Sequence, residues 1–269
     1  MVDEMAAQGA AARAAQFLFD ENKARARSRP IPEDFRPRTE AQAYAAQAVF
    51  QELLVGDGVG EVAGYKIGLT SEVMQRMANF DHPIAGAIFS TRVHSSPASI
   101  SAADFVRLGI ECEVAVRLGH DLPASGAPYD RDAVAGAVAS CAPAFELIED
   151  RAVDYAGVDI LACVAENSWN AGIVLGPALG EWRDLDLAGA RGELTINGAA
   201  VGGGRGGDVM GHPLEPLAWL ANTLAERGLG LERGMVVMTG SIVTTKFLSP
   251  GDRAEMSIEG LGKAELRVE

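Results

Sequence analysis

The sequence predicts an α+β fold, in which a helical region precedes a dominant β-sheet that is mostly antiparallel or mixed. Two observations lead to this prediction. The first ~60 residues are helical in character, with Met5–Arg27 rich in Ala, Arg and Glu. After Val55 glycine becomes frequent, and short apolar runs are separated by turn residues. Strand and helix patterns also do not alternate with a regular βαβ rhythm. We therefore expect an N-terminal helical region over residues 1–60 and a β-rich domain over residues 61–269, which together form one functional unit.

Apolar spacing and end signals predict three longer helices. The first extends over Met5–Arg27 and ends before the proline-containing segment Arg29–Pro32, since proline cannot continue a helix. The second begins at Thr39, which forms a capping-box pattern with Gln42. The third is amphipathic and covers Leu214–Arg227. Two shorter helices are predicted over Ser71–Met77 and Ala133–Ser140, the latter with Asp132 as its N-cap.

Short apolar runs bounded by turn residues predict the strands. The pair Asn197-Gly198, between two such runs, indicates a two-residue hairpin turn. The run GGGRGG at Gly202–Gly207 matches a dinucleotide-binding pattern only formally, because no helix opens at its end, and we expect a flexible loop there. The predicted strands are Val62–Gly68, Ala87–Phe89, Ile110–Leu118, Ala144–Ile148, Ile173–Leu175, Leu194–Ile196, Ala199–Val201 and Met235–Thr239, with one or two more within Arg253–Val268.

Composition and charge exclude several classes of function. The 269 residues are 48% hydrophobic and 22% charged, with a net charge of −14, so a nucleic-acid backbone or an anionic membrane surface is an unfavourable partner. No apolar run approaches the ~18 residues that a membrane span needs, and the segment MVDEMAAQGA lacks the features of a signal peptide. Three widely separated cysteines, Cys112, Cys141 and Cys163, are typical of reduced core residues. We therefore predict a cytoplasmic protein.

The stretch GIECEVAV carries two carboxylates on one face of an apolar strand. Residues two apart in a strand share a face, so Glu111 and Glu113 point the same way and Cys112 points the opposite way. An edge strand with a solvated acidic face explains this stretch equally well. A second apolar strand, however, carries Glu146 between Ala144 and Ile148, where an isolated carboxylate is costly to bury.

Three such carboxylates can share a divalent cation, and an all-oxygen set of ligands favours Mg²⁺ or Mn²⁺. Glu149 and Asp150 follow Glu146 directly, and we expect them to be exposed at the strand end or to lie just outside the site. Lys66 lies in the apolar, glycine-rich run GYKIGLTS, where a buried lysine needs a carboxylate partner or a functional role. A strand lysine that reaches solvent is the alternative.

The ordered set GYKIGLTS, IECEVAV, APAFELIEDR, NSWNAGIVLG and a C-terminal MTGS resembles the 2-keto-4-pentenoate hydratase branch of the fumarylacetoacetate hydrolase superfamily, which also contains 4-oxalocrotonate decarboxylases. The resemblance extends from about Thr39 to the C-terminus and implies a twisted mixed β-roll with an N-terminal helical region, usually in homo-oligomers. It implies Lys66 as the catalytic lysine and Glu111, Glu113 and Glu146 as the Mg²⁺ or Mn²⁺ ligands. The substrate-binding residues that it implies are Leu69, Ser168, Asn170, Thr239 and Ser241.

The resemblance implies a lyase that hydrates a 2-hydroxy-2,4-dienoate to a 4-hydroxy-2-oxo acid through a metal-stabilised enolate, in the catabolism of aromatic compounds. The same site would also suit an oxalocrotonate-type decarboxylase or an acylpyruvate C–C hydrolase, and a non-catalytic oligomeric binder is the alternative from a different class. This sequence differs from many members of that family at one position, which bears on the identity of the substrate and on the route of the proton or water. Many members have Pro-Asp-Phe/Tyr-Gly after KIGLTS, whereas here Ile84 stands where the acid would be.

Overall fold

The computed structural model describes the backbone of residues 2–269 and the side chains from residue 7 onward, so Met1 of the predicted helical region lies outside the described residues. The helices are α1 (Val2–Lys23), α2 (Glu40–Gly56), α3 (Glu72–Ala78), α4 (Arg131–Ala137), α5 (Ile160–Ala165) and α6 (Leu214–Glu226). The strands are β1 (Val62–Gly68), β2 (Ile84–Phe89), β3 (Val93–Ser95), β4 (Ala98–Ile100), β5 (Leu108–Leu118), β6 (Val138–Glu149), β7 (Asn170–Leu175), β8 (Arg191–Ile196), β9 (Ala199–Arg205), β10 (Val236–Phe247), β11 (Arg253–Ile258) and β12 (Gly262–Val268).

Within the described residues the strands form two mixed sheets, which confirms the predicted α+β fold with its twisted mixed β-roll. The larger sheet has the order β2-β1-β10-β5-β6-β7-β3, and the smaller has the order β4-β12-β11-β8-β9. Strand pairs β1–β10, β3–β7 and β4–β12 are parallel, and the other pairs are antiparallel. The long strands β5 and β6 lie in the middle of the larger sheet, where both faces of each strand are covered.

The two faces of β5 have different surroundings. Cys112 and its apolar neighbours pack into the main core, which also contains residues of the smaller sheet and of α6. The opposite face carries Glu111, Glu113 and Ala115, and Ala115 packs with Ala144 in a separate small cluster. Hydrophobic clusters therefore hold β5 on both faces. The two glutamates are the charged residues on the face that Ala115 shares.

The N-terminal helices pack on each other and on the edge of the larger sheet. Their shared core contains Leu18 and Phe50 together with Phe89 of β2 and Ala165 of α5. The helices and the sheet therefore share one hydrophobic cluster. The boundary at residue 60 between the helical region and the β-rich domain stays a prediction. None of the helices in the described part of the chain is long and apolar enough to cross a membrane.

The helix α1 ends at Lys23, before the predicted end at Arg27. Arg25 takes a left-handed conformation with a φ of 47°, and the Ala26 N–H donates to the Glu21 carbonyl at 3.0 Å. This pattern is a Schellman C-cap, which ends a helix without proline. The predicted proline stop was therefore wrong, because a local backbone motif ends the helix first.

Two further predictions near the sheets were wrong. The N-cap of α4 is Asp130, not Asp132, since the Asp130 carboxylate accepts the Ala133 N–H at 2.8 Å. The predicted flexible loop at Gly202–Gly207 is mostly strand, because its first four residues form the second half of β9. This strand pairs with β8 across the predicted Asn197-Gly198 turn. Glycine suits this strand because a Cβ at Gly204 would lie 2.1 Å from the Ile242 carbonyl oxygen.

A buried ion pair joins the N-terminal region to the end of β6. Arg151 is 1% exposed and its Nε donates to the Glu166 carboxylate at 2.5 Å, while its Nη1 donates to the Ala26 carbonyl at 3.0 Å. Glu166 also accepts the Asn22 amide of α1 at 2.6 Å. Since both charges are out of water, their separation leaves an uncompensated buried charge.

Replacing Arg151 with methionine should lower the free energy of unfolding by about 3 kcal/mol, because Glu166 would stay buried with only the Asn22 amide as a side-chain donor. The matched control is Arg25→Met, which removes an exposed ion pair with Asp104 and should cost no more than about 1 kcal/mol. Urea denaturation of both variants gives the comparison. Equal losses would contradict the structural role of the buried pair.

Candidate metal centre and active site

Three glutamates converge on the polar face of β5 and β6. Glu111 lies directly opposite Glu146 in the antiparallel register, and Glu113 lies opposite Ala144. One carboxylate oxygen from each glutamate lies within 4.8 Å of the other two. Because β5 is a central strand, the alternative of an edge strand with a solvated face is wrong. Like charges so close together in the interior need a compensating cation.

The hydrogen bonds of these carboxylates leave oxygen atoms free at the centre. Glu113 Oε2 accepts the Gly240 N–H at 2.7 Å, and Thr245 donates its hydroxyl to Glu111. Among the described residues Glu113 Oε1 and Glu146 Oε2 have no hydrogen-bond partner, although both are buried. Buried oxygens without donors are the groups that a hard divalent cation would coordinate, so the residues present fit such an ion.

Burial and mutual repulsion dominate the electrostatics of this site. Burial raises the pKa of Glu146 to about 7, although the nearby Lys66 ammonium acts in the opposite direction. Burial raises the pKa of Glu113 well above its ordinary value, and the Glu146 and Glu111 carboxylates raise it further. A divalent cation would reverse both shifts, because it stabilises the ionised forms.

Lys66 reaches this cluster from β1, which lies two strands away from β5. Its side chain is almost completely buried, and Nζ lies 3.3 Å from Glu146 Oε1. Burial by itself lowers the pKa of Lys66, but the carboxylates of Glu146 and Glu111 outweigh it and raise the pKa above its ordinary value. Lys66 is therefore a buried lysine paired with a carboxylate, and the alternative of a lysine that reaches solvent is wrong.

A cavity of about 140 Å³ opens beside Lys66. Two of the five predicted substrate-binding residues, Leu69 and Ser168, line it. Leu69 has a left-handed backbone with a φ of 55° at the end of β1. Ser168 donates its hydroxyl to the Ala85 carbonyl at 2.9 Å, which leaves the oxygen lone pairs free to accept. Both residues are placed where a substrate in the cavity would contact them.

The other three predicted substrate-binding residues do not line this cavity, and their side chains make hydrogen bonds within the protein. Asn170 donates its amide to Glu146 at 2.9 Å. Thr239 donates its hydroxyl to a carbonyl of β5 at 2.8 Å, and Ser241 donates to the Val243 carbonyl at 2.5 Å, so neither hydroxyl lines the cavity. The turn that contains them instead presents the Gly240 N–H to the carboxylate cluster.

Sequence patterns missed several residues that line the cavity: Thr245 from β10, Met74 and Met77 from α3, and the aromatic pair of Tyr155 and Trp169, whose ring centroids are 6.0 Å apart. The register of β10 against β5 shifts three times between Met238 and Lys246, so a simple alternation cannot assign the face of Thr245. Met74 and Met77 could not be recognised from the sequence as cavity residues, because methionine in a helix is usually an ordinary apolar residue.

Asp150 was expected to be exposed or beside the site, and it is in fact completely buried. Its carboxylate accepts two hydrogen bonds from the Arg107 guanidinium, at 2.9 and 2.5 Å, and one from the Tyr155 hydroxyl at 2.9 Å. Arg107 thereby neutralises Asp150, and Asp150 fixes the ring of Tyr155 at the wall of the cavity. Asp150 therefore acts by positioning Tyr155 in the cavity wall.

One wall of the cavity is a strained turn, Asn167–Trp169, in which all three residues have a positive φ between 49° and 59°. The Asn167 side chain holds this turn against β2 by exchanging hydrogen bonds with Ala87, at 2.7 and 2.9 Å. Gln51 of α2 donates to the same side chain at 2.8 Å. A Cβ at Gly86 would lie 2.3 Å from the Asn167 carbonyl oxygen, so this approach requires glycine.

Comparison with known proteins supports the resemblance stated from the motifs. The family model "Fumarylacetoacetate (FAA) hydrolase C-terminal" matches residues 63–269, which include the three glutamates and Lys66. A 2-hydroxyhexa-2,4-dienoate hydratase of Comamonas testosteroni is 32% identical over 94% of this chain and 95% of its own length. A 2-keto-4-pentenoate hydratase of Paraburkholderia xenovorans is 29% identical over 95% of this chain and 94% of its own length.

The fold is also similar to that of the 4-oxalocrotonate decarboxylase from Pseudomonas putida G7, solved in complex with magnesium and adipate. The TM-score is 0.89 at 26% sequence identity, and the match covers 96% of this chain and 97% of that chain. Hydratases and decarboxylases of this kind are both lyases. From the family match, the curated relatives and the fold, this chain belongs to the fumarylacetoacetate hydrolase family and is an enzyme of the lyase class.

Proposed function

We propose that this protein is a divalent-metal-dependent hydratase that adds water to a 2-hydroxy-2,4-dienoate of the 2-keto-4-pentenoate type. The product of one dienoate and one water is a 4-hydroxy-2-oxo acid. The observation that carries the proposal is the convergence of three buried carboxylates and one buried lysine beside a small cavity. Curated hydratases that share about 30% identity over nearly the whole chain support the same reaction.

Glu111, Glu113 and Glu146 would hold the Mg²⁺ or Mn²⁺ ion, and their remaining hydrogen bonds fix the direction of each carboxylate. Gly240, Asn170 and Thr245 donate to Glu113, Glu146 and Glu111 respectively, so all three carboxylates are oriented before any ion arrives. When bound, the ion supplies a Lewis acid for the carboxylate and the 2-oxygen of the substrate. The three glutamates leave coordination positions for such a two-point contact.

Lys66 would bind the anionic end of the substrate and compensate its charge. The surrounding carboxylates outweigh burial and raise the pKa of Lys66 above its ordinary value, which favours its ammonium form. It therefore donates hydrogen bonds to a substrate oxygen and favours the negative charge that gathers on the 2-oxygen during ketonisation. A Schiff base at Lys66 is not required, because a bound divalent cation would already supply the electron sink.

Decarboxylation of a 4-oxalocrotonate is the second candidate function, because the solved decarboxylase resembles this chain over 96% of its length. The same carboxylate cluster would also suit cleavage of an acylpyruvate, which stays a prediction from the sequence. A homo-oligomeric state, a cytoplasmic location and a role in the catabolism of aromatic compounds likewise stay predictions.

The proposed reaction is tested with purified protein and 2-hydroxypenta-2,4-dienoate. We expect the ultraviolet absorbance of the diene to disappear with Mg²⁺ or Mn²⁺ and to persist after treatment with EDTA, because the carboxylates alone cannot polarise the substrate. Release of CO₂ from 4-oxalocrotonate is measured in parallel. Faster decarboxylation than hydration would favour the second candidate, and turnover that is unaffected by EDTA would contradict the metal-dependent mechanism.

Replacing Glu113 with glutamine should weaken Mg²⁺ binding by at least about tenfold and abolish turnover, since one of three anionic ligands is lost. Isothermal titration calorimetry of the metal-free protein measures the affinity directly. The thermal midpoint should hold or rise because a crowded buried charge is removed. The control is Glu193→Gln on β8, an exposed carboxylate outside the cluster, which should leave both affinity and turnover unchanged.

Replacing Lys66 with methionine should lower kcat/KM by about 10²- to 10⁴-fold, the range that a positioned polar catalytic group supplies. Mg²⁺ should still bind, because Lys66 is not one of the proposed ligands. A second measurement uses borohydride with the wild-type enzyme and substrate, followed by mass spectrometry. Reduction that fixes substrate covalently to Lys66 would overturn the proposed role of the ammonium.

A further inference from the structure

A second and larger cavity lies where the N-terminal helices meet the larger sheet. Its volume is about 600 Å³, and residues of α1, α2, β3 and β7 line it. Small-molecule sites in proteins have volumes of roughly 300–1,000 Å³. Trp169 lines both this second cavity and the cavity beside Lys66, whereas Lys66 and Glu111 line the first cavity alone. The second cavity therefore adjoins the proposed active site but does not contain its charged groups.

Three of the four carboxylates in the wall of the second cavity pair with three of its four cationic side chains. Arg151 forms a buried ion pair with Glu166. The other two ion pairs are exposed, and they are Lys23–Asp57 and Arg25–Asp104. These six side chains therefore have partners without a ligand.

The fourth cation and the fourth carboxylate of this wall are Arg92 and Glu149, and they do not pair with each other. Glu149 accepts the backbone N–H groups of Val106 and Arg151 at 2.5 and 2.7 Å. Arg92 is half-buried, and its guanidinium makes no hydrogen bond or ion pair with any described residue. Burial lowers the pKa of Arg92, and no carboxylate of the described residues offsets this effect. One positive charge in the wall is therefore left for a ligand.

Two further polar groups in this wall lack partners within the described part of the chain. Arg151 is 1% exposed, and its Nη2 has no acceptor. The ring of His94 makes no hydrogen bond, and burial lowers its pKa, so near pH 7 it is neutral and donates one N–H. A buried donor without an acceptor costs free energy, so a ligand that supplies the acceptor is favoured. The second cavity therefore offers several free donors to an anion.

Aromatic rings make up much of the remaining wall. They come from both N-terminal helices and from two loops, and they are Phe19, Phe50, Phe105 and Trp169. Aromatic walls favour a flat ring, which packs against them by its face or its edge. A guanidinium binds a carboxylate through two parallel hydrogen bonds, and Arg92 is the one unpaired cation. A ligand with one ring and one negative charge therefore matches this wall, whereas a dianion would lack a second cation.

We propose that the second cavity is a small-molecule site that binds an aromatic monocarboxylate, with Arg92 and the free Nη2 of Arg151 as the donors to its carboxylate. The inference does not rest on the proposed hydratase function, because no group of the carboxylate cluster takes part. An apolar cavity of ~150 Å³ holds benzene, so about 600 Å³ has room for a ring with its carboxylate and further substituents.

Four small ligands test the proposed class. Benzoate has the ring and one charge, benzamide has the ring without the charge, acetate has the charge without the ring, and phenyl phosphate has the ring with a dianionic group. Their dissociation constants are measured by calorimetry on the Mg²⁺-loaded full-length protein. We expect benzoate to bind at least about tenfold more tightly than each of the other three, since it alone satisfies both the rings and the single free cation.

Replacing Arg92 with methionine should weaken benzoate binding at least about tenfold and change benzamide binding less than about twofold. The thermal midpoint should hold, because Arg92 has no partner to lose. Arg92→Lys keeps the charge without the planar fork and should give an intermediate affinity. Two controls remove other cations. Arg25→Met acts on an exposed arginine of the same wall that pairs with Asp104, and Lys66→Met acts on the other cavity. Each should change benzoate affinity less than about threefold.

The outcomes separate this inference from the proposed function. Absence of benzoate binding, or equal binding of benzamide, overturns the inference, and the hydratase function stands if the dienoate still turns over. Tighter binding of phenyl phosphate overturns the monocarboxylate class. A loss of benzoate affinity in Lys66→Met as large as that in Arg92→Met also overturns the inference, because benzoate would then occupy the active site. An equal loss in Arg25→Met does the same, since the cation would act only through general charge.

Discussion

The crowding of three carboxylates on the central strands is the constraint on which the rest of this structure depends. Glu111 and Glu146 face each other across β5 and β6, and Glu113 is one pleat away, so mutual repulsion must be compensated locally. Lys66 supplies one positive charge, and a divalent cation held by the three glutamates would supply the rest. The apolar cores on both sides of the sheet keep the carboxylates together against this repulsion.

Much of the fold and of the charged cluster could be predicted from the sequence, because both depend on short-range periodicity. Alternation alone put Glu111 and Glu113 on the face opposite Cys112, and the structure agrees. The Asn197-Gly198 turn and the caps at Thr39 and Ser71 are local signals of the same kind. The resemblance to a known family then supplied the twisted mixed β-roll, which periodicity alone cannot give.

The rest could not be predicted because it depends on where the backbone departs from regular geometry. Register shifts in β10 turn Thr245 toward Glu111 and turn the hydroxyls of Thr239 and Ser241 toward neighbouring carbonyls. Asp150 was expected either at an exposed strand end or just outside the site, and only the fold, which brings Arg107 to neutralise it, distinguishes the two. Family motifs name residues near a site, and the structure distinguishes those that line it from those that hold its walls.

The left-handed turn at Asn167–Trp169 makes one wall of the cavity depend on the N-terminal helices. The family model begins at residue 63, yet this wall of the cavity is held by Gln51 of α2, and Asn22 of α1 supports the adjacent Glu166. The helical region therefore contributes directly to the support of this wall. A chimera joined at the start of β1 would keep this support only if the incoming helices carry hydrogen-bond donors at the positions of Gln51 and Asn22.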